Sequence, residues 1–148
     1  MGCSGAAWAG AGGLLVSWFF VNLEKVVFGF FVLLAATLNF GYFIGDMGDP
    51  AMHNVVELYA AVVVNIVATI LKFGDRTQVG AVHLATSLVA VIQLVAAASF
   101  WIVFTGGTGA DVTASQMAAV VSLSGGALLA NLVSLVLLVA ETVSYRRH

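Results

Sequence analysis

Basic residues in this chain stand only at the ends of long apolar runs, a spacing that leaves few folds open. The five are Lys25, Lys72, Arg76, Arg146 and Arg147. A backbone inside hydrocarbon must form its own hydrogen bonds, and an apolar run of about 20 residues is long enough to cross a bilayer as a helix. The runs are continuous and do not alternate with polar residues, which excludes barrel strands. The sequence therefore predicts an all-α, polytopic membrane protein with four transmembrane helices.

The predicted helices form one transmembrane domain over residues 22–148. The spans cover about residues 26–44, 52–71, 79–104 and 115–140. Asp49-Pro50 is typical of a helix start, with Asp as the N-cap and Pro at the first helical position. We therefore expect the second helix to begin near Pro50. Asp111, Thr113 or Ser115 is expected to cap the fourth helix.

The basic residues also predict the orientation of the chain. All five fall on one side of the membrane if alternate loops face the same compartment. The opposite loops contain Asp46, Asp49 and Asp111 and no Lys or Arg. Because loops rich in Lys and Arg stay in the cytoplasm, both chain ends are expected inside.

Residues 1–21 form an apolar segment that precedes the first predicted span. No basic residue stands before this segment, so it is a poor signal peptide. Two interpretations are open. The segment is an interfacial helix that contains Trp8 and Trp18, or it is a non-native extension of a protein whose own start is Val21.

Composition excludes most other classes of protein. The chain has 148 residues, of which 61% are hydrophobic and only 8% charged, too few charges to cover a soluble domain. Cys3 is the single cysteine, so no intrachain disulfide is possible. No nucleophile–base arrangement, redox motif or haem-ligand pair is present. We therefore expect no enzyme activity, no cofactor and no nucleic-acid partner, with membrane lipid as the surroundings.

A polar or small stripe on the second span is the clearest candidate for an ion pathway. Its members recur every four residues, which places them on one helix face: His53, Glu57, Ala61, Asn65 and Thr69. A ring of Glu57 side chains in an oligomer, with Asp46 and Asp49 above it and Asn65 deeper, would concentrate cations. The alternative is local pairing of His53 with Glu57. These acids and His53 match no metal-site motif, so no metal is predicted.

Each predicted span also contains an amide at depth. The four are Asn39, Asn65, Gln93 and Asn131. An unpaired amide in hydrocarbon is costly, so these side chains are expected to face protein or water. They form a buried polar network between helices, or some of them line a hydrated path. His83 on the third span is expected to be a hydrogen-bonded structural histidine.

Small residues recur every four positions along the fourth span. This ridge consists of Ala118, Ser122, Gly126, Ala130 and Ser134. Small residues let helix backbones approach closely in lipid, either within one chain or between subunits. In the loop between the second and third spans, Asp75 and Arg76 are candidates for docking to a partner, and Arg76 also for contact with anionic lipid.

Four stretches of the chain resemble a family of small, uncharacterised bacterial inner-membrane proteins with four helices. They are Asn22–Val26, Leu38–Gly41, Lys72–Gln78 and Ser122–Ala127. The resemblance covers about Val21 to Arg147. It implies a multi-pass protein of the bacterial inner membrane and supplies no mechanism or site residues.

These features together predict an oligomeric cation channel or transporter. A single four-helix bundle has little room for an aqueous path, so subunits are expected to share one. The alternative is a non-conducting accessory or assembly subunit of a larger membrane complex, which would dock through the ridge and the loop at Asp75 and Arg76.

Overall fold

The computed structural model describes residues 6–106 and 112–145, which are helical apart from short turns. Four long helices follow one another: α1 (Ala6–Phe43), α2 (Val55–Lys72), α3 (Gln78–Thr105) and α4 (Ala114–Tyr145). A short 3-10 helix, Pro50–Met52, lies between α1 and α2. No strand occurs within the two described ranges.

Each long helix contains a segment that is long and apolar enough to cross a membrane. The segments are Leu23–Phe43, Val55–Lys72, Gln78–Thr105 and Ala114–Ser144. An apolar helix of 18 residues or more is close to the hydrocarbon thickness at 1.5 Å of rise per residue. The predicted all-α fold with four transmembrane helices is thus confirmed.

The first helix is continuous through the apolar N-terminal segment. α1 runs without interruption from Ala6 to Phe43, and no helix boundary lies near residue 21. Gly41 does not end the helix, since the backbone N–H of Ile44 still donates to the carbonyl of Phe40 at 2.9 Å. The turn begins only at Ile44, and Gly45 follows with a positive φ of 146°.

The expected start of the second helix near Pro50 is wrong. Asp49 does act as an N-cap, but for the 3-10 helix, where its side chain accepts from the backbone N–H of Ala51. The chain then becomes extended at His53, and Asn54 caps α2 by accepting from the N–H of Val56. Two N-cap residues therefore follow each other closely, and the first one, Asp49, begins only a single turn of 3-10 helix.

Side-chain caps also begin α3 and α4. The hydroxyl of Thr77 accepts from the backbone N–H of Gly80 at the start of α3. At α4, Thr113 and Gln116 form a capping box, because the Thr113 hydroxyl accepts from the N–H of Gln116 and the Gln116 amide oxygen accepts from the N–H of Thr113. Thr113 is therefore the cap among the three residues expected there; Asp111 lies outside the described residues.

The helices form a bundle in which each packs on its neighbours in the chain and α4 closes onto α1. Leu58, Leu94 and Met117 are fully buried in the larger of two core clusters. The second cluster, around Phe28 and Val32, lies toward the other end. Large apolar side chains cover the outside, and many polar ones are buried, including Asn39, Asn65, His83 and Asn131. An apolar exterior suits lipid, because hydrocarbon chains solvate it and leave the polar groups to pair inside.

Candidate functional site

The polar stripe of α2 faces the interior of the bundle. His53, Ala61, Asn65 and Thr69 are all buried, and Glu57 is half-buried. Residues four apart lie on one helix face, so a single orientation of α2 buries Ala61, Asn65 and Thr69 together. His53 lies before α2, in the extended part of the turn, and is buried there. The continuation of the stripe, Lys72, is buried as well. Polar groups therefore extend along the inside of one chain from one end of α2 to the other.

Two of the predicted pathway acids shape the turn between α1 and α2. A carboxylate oxygen of Asp46 accepts from the backbone N–H of Gly48 at 2.9 Å. A carboxylate oxygen of Asp49 accepts from the N–H of Ala51 at 2.9 Å. Together with Glu57 these residues make one end of the bundle acidic, and we call it the acidic end. Their bonds to the turn give Asp46 and Asp49 a local structural role.

His53 joins this turn to the last turn of α1. Its Nδ1 lies 2.6 Å from the carbonyl oxygen of Tyr42, and its Nε2 lies 3.0 Å from the carbonyl oxygen of Asp46. A neutral imidazole donates one hydrogen bond, and the imidazolium donates two. Within the described residues no hydrogen bond or ion pair joins His53 to Glu57, so the predicted local pairing of these two side chains is wrong.

The Glu57 carboxylate lies on α1 at Gly41. A Cβ atom at position 41 would stand only 2.6 Å from Oε2 of Glu57, so the missing side chain makes room for the acid. Within the described part of the chain the carboxylate has no hydrogen bond or ion pair. The close approach of Glu57 to Gly41 was not predicted from the sequence. A glycine inside an apolar span was the available signal for such a close approach.

The four deep amides are only partly paired. Asn39 accepts a hydrogen bond from the hydroxyl of Ser124, which links α1 to α4. Asn65 donates to the carbonyl of Ala61 in its own helix at 2.8 Å, so this amide does not join two helices through that bond. The amide of Gln93 lies on Gly126 of α4, where a Cβ would meet Nε2 at 2.6 Å. Within the described interior several polar atoms have no partner: Asn39 Nδ2, Tyr42 Oη, Gln93 Oε1 and Asn131 Nδ2.

The opposite end of the bundle forms a charged vestibule, and we call it the basic end. The vestibule has a volume of about 580 Å³. Three basic and three acidic residues line it: Glu24, Lys25, Lys72, Asp75, Arg76 and Glu141. Lys25 of α1 pairs with Glu141 of α4 at 3.0 Å, and Lys72 of α2 pairs with Asp75 at 3.1 Å. The ion pair between Lys25 and Glu141 was not predicted, since it depends on α1 meeting α4.

Asp75 organises the turn between α2 and α3. One carboxylate oxygen accepts from the backbone N–H and the hydroxyl of Thr77, at 3.0 and 2.8 Å. The other accepts from Lys72. The bonds from Thr77, aided by Lys72, lower the pKa of Asp75 to about 2. Of the two predicted docking residues, Asp75 therefore already has hydrogen-bond partners within the chain. Arg76 is exposed and forms no ion pair with another described residue.

Below the vestibule three side chains stack toward the bundle interior. The ammonium of Lys72 lies 4.6 Å from the ring centroid of Phe28. Phe28 in turn meets His83 edge-to-face, with 5.1 Å between ring centroids. His83 is fully buried, and neither ring nitrogen has a hydrogen-bond partner among the described residues. The expectation of a hydrogen-bonded His83 is wrong.

The small-residue ridge of α4 is divided between two surroundings. Ser134 is buried and its hydroxyl bonds that of Thr86 on α3, while Ala130 is buried and Gly126 lies under Gln93. Ala118 is half-buried, and Ser122 is exposed. A shallow groove of about 390 Å³ runs between α3 and α4 beside Gly126 and Ala130. Much of the ridge therefore packs within the chain.

No three His, Cys, Asp or Glu side chains come close enough to hold a metal ion in residues 6–106 and 112–145. Cys3, Arg146 and Arg147 lie outside the described residues.

A family model described as a family of unknown function (DUF6394) matches residues 52–142, which include α2, α3 and most of α4. This match confirms the predicted resemblance to an uncharacterised family. No curated protein and no solved structure matches the chain.

Proposed function

The chain belongs to the DUF6394 family of unknown function, and on its own geometry we propose that it moves small cations, protons above all, across a membrane. The observation that supports this proposal is the series of polar groups inside the bundle from His53, in the turn before α2, to Lys72 at the end of α2. Ionisable and polar groups inside a membrane protein are costly to retain, and they commonly mark ion or proton pathways.

Unpaired polar atoms in the core strengthen the proposal. Asn39, Tyr42, Gln93 and Asn131 each have a buried atom without a partner among the described residues. Leaving one such group unpaired costs about 1–3 kcal/mol, and a bound water would remove that cost. Waters at these positions would connect side chains of different helices.

Protons suit this interior better than hydrated metal ions. Leu58, Leu94 and Met117 are fully buried and fill the core. A proton moves between hydrogen-bonded waters and side chains, so it needs no pore as wide as a hydrated ion. A path inside one chain would also remove the need for subunits to share one, although a homo-oligomer in which Glu57 side chains form a ring is a compatible arrangement.

Glu57 is the proposed entrance at the acidic end. Its carboxylate is half-buried against Gly41 and has no described partner that would neutralise it. A negative charge at the mouth of a path raises the local concentration of cations. Asn65, fully inside the bundle, would be the next polar group along α2.

Proton flux into liposomes tests the proposal. We expect purified protein to collapse an imposed pH gradient, read with an entrapped pH-sensitive dye and valinomycin to balance charge. Glu57→Gln keeps the shape of the side chain and removes its charge, so flux should fall by roughly tenfold or more, within the range for loss of a proton-transferring group. Parallel gradients of K⁺, Na⁺ and Ca²⁺ identify any other cation.

Asp46→Asn is the matched control for Glu57→Gln. It removes a carboxylate from the same end of the bundle but keeps the oxygen that accepts from Gly48. Flux should remain close to that of the unaltered protein. Flux that Glu57→Gln leaves unchanged, or no flux of any cation from folded protein, would contradict the proposal.

An accessory role in a larger membrane complex is the second candidate. The groove between α3 and α4 favours it, since Gly126 and Ala130 would let a helix of another protein approach closely. Exposed Arg76 would be a further contact. Mild-detergent extraction separates the two candidates: co-purification of a larger partner supports the accessory role, and a uniform homo-oligomer supports transport.

A further inference from the structure

The buried ring of His83 is unusual for a structural histidine. Its close ring contact is the edge-to-face pair with Phe28, and both ring nitrogens lack partners among the described residues. A neutral imidazole has one N–H donor and one lone pair, so two polar groups are unpaired here. An apolar side chain of similar volume would fill the space without that penalty. The ring is therefore better explained by a small polar ligand that reaches it.

A route to the ring leads from the vestibule at the basic end. Lys72 lines the vestibule, and its ammonium lies over the ring of Phe28, which also contacts His83. Lys72 thus stands between the charged, open space and the buried ring. Only 8% of its side-chain surface is exposed, so the side chain is closely packed where the vestibule meets Phe28.

Among the described residues, the charged partner that holds Lys72 in this position is Asp75, at 3.1 Å. A lysine side chain has four flexible carbon–carbon bonds, and its ammonium is strongly hydrated. If the ion pair with Asp75 breaks, the ammonium can move into the vestibule, because the lysine side chain is long enough to keep its charged group hydrated there. Such a movement would uncover Phe28 and the edge of His83.

We propose that His83 is a proton-binding site at the basic end, and that the ion pair of Lys72 and Asp75 is the latch that closes it. When the latch is open, a hydronium ion in the vestibule transfers one proton to the lone pair of the neutral imidazole and becomes water. The reverse transfer returns the proton. The transport role of this site rests on the proposed function, whereas its accessibility and its proton binding do not.

Charges on three elements face the site and affect proton binding there. Lys72 comes from α2, Asp75 from the following turn and Glu141 from α4, where it is paired with Lys25 of α1. The ammonium of Lys72 repels an imidazolium nearby, while the two carboxylates attract it. Movement of Lys72 away from the ring therefore favours proton uptake, so opening and protonation are linked.

Chemical labelling of His83 with diethyl pyrocarbonate tests the latch. The reagent acylates neutral imidazole, and peptide mass spectrometry assigns the label among the three histidines of the chain. Asp75→Asn keeps an oxygen toward Thr77 and removes the charge that holds Lys72. We expect His83 in folded Asp75→Asn protein to react roughly tenfold faster, the change that corresponds to about 1.4 kcal/mol lost by the closed state.

Glu24→Gln is the matched control for Asp75→Asn. Glu24 lines the same vestibule but forms no ion pair with Lys72 among the described residues, so labelling of His83 should stay at the original rate. Equal labelling of His83 in Asp75→Asn and in the unaltered chain, with both folded by circular dichroism, would overturn the latch.

Nuclear magnetic resonance of ¹⁵N-histidine protein in nanodiscs tests proton binding directly. We expect the two ring nitrogens of His83 to change from one donor and one lone pair to two donors as the pH is lowered over the range in which the protein stays folded. His83→Gln assigns the signals. A His83 ring that stays neutral throughout would overturn the proposal, even if the protein conducts protons. Proton uptake without any flux would uphold the site and contradict only the proposed transport.

Discussion

At the scale of single residues, the charged groups of this bundle differ in how firmly they are held. Asp75 accepts three hydrogen bonds, from two atoms of Thr77 and from Lys72. Glu57 lies against the bare backbone of Gly41, and its carboxylate has no bond within the described chain. A satisfied carboxylate stabilises structure, whereas an unsatisfied one in a partly buried place is available to bind cations. This difference is why we assign Glu57 to function and Asp75 to the latch.

The stabilising effect of Asp75 should disappear in acid. The pKa of Asp75 is lowered in the folded protein to about 2 from 3.8, because the folded state stabilises the charged carboxylate through its hydrogen bonds. The contribution is complete above about pH 4 and is lost as the pH falls toward 2. We expect Asp75→Asn to lower stability by about 1 kcal/mol at pH 6, since a partly exposed pair is screened. Thermal unfolding at pH 6 and at pH 2 measures this.

The control for this pH dependence is Asp49→Asn, whose carboxylate caps one short turn and has no lysine partner. The Asp75→Asn variant and the unaltered chain should have closer unfolding temperatures at pH 2 than at pH 6. A difference that grows in acid would contradict the role given to the Thr77 and Lys72 bonds.

At the scale of helices, close approach depends on glycines that face another helix. A Cβ at Gly125 of α4 would stand 2.7 Å from the ring of Phe43 on α1. A Cβ at Gly126 would stand 2.6 Å from the amide of Gln93 on α3. The two adjacent glycines therefore let α4 pack against both neighbours at the same depth. The ridge predicted from the sequence included Gly126 only, so it described one of these two contacts.

Gly125→Ala should loosen the contact between α1 and α4. An aromatic ring cannot retract as a flexible side chain can, so we expect a loss of about 1–3 kcal/mol, as for other overpacked cores. Unfolding in mixed micelles by a denaturing detergent measures the change. Phe43→Leu should restore part of the stability in the double variant, because the shorter side chain makes room.

Ser122→Ala provides the reference on the same helix, since Ser122 is exposed. Its effect should stay within about 0.5 kcal/mol. If Gly125→Ala is equally mild, the α1–α4 interface adapts more easily than the contact with Phe43 indicates.

At the scale of the whole molecule, the basic residues of the described chain lie at one end of the bundle. That end has Lys25, Lys72 and Arg76 beside three carboxylates, while the acidic end has Asp46 and Asp49 and no described Lys or Arg. Both ends are joined inside the chain by the buried stripe of α2. A protein with this asymmetry has a defined direction in a membrane, and we infer that the basic end faces the cytoplasm.

Cysteine labelling from one side of the membrane tests this orientation. Cys3 is first replaced by Ser. A new cysteine is then placed in an exposed position at the acidic end (Met47→Cys) or the basic end (Phe73→Cys). We expect a membrane-impermeant maleimide to label position 47 in intact cells and position 73 only after permeabilisation. The reverse pattern would place the basic end outside.

Much of the fold could be predicted from the sequence alone. Four spans follow from hydropathy, because insertion of a helix into lipid depends on its own length and composition. Four-residue spacing was enough to place Ala61, Asn65 and Thr69 on one face, whereas His53 precedes the helix. Asn65 was expected to face protein or water because an unpaired amide in hydrocarbon is costly. The start of the second helix near Pro50 was wrong, since a local cap motif does not determine how many helical turns follow it.

The sequence by itself thus determined the four helices and the polar side of α2, both of which arise from residues near one another in the chain. Only the tertiary structure decided which side chains meet across helices: Glu57 with Gly41, Lys25 with Glu141, and Lys72 with Phe28 above His83. Those contacts depend on how the helices are rotated and set in depth against one another. Many weak packing interactions act together to select that arrangement, and no short sequence motif encodes it.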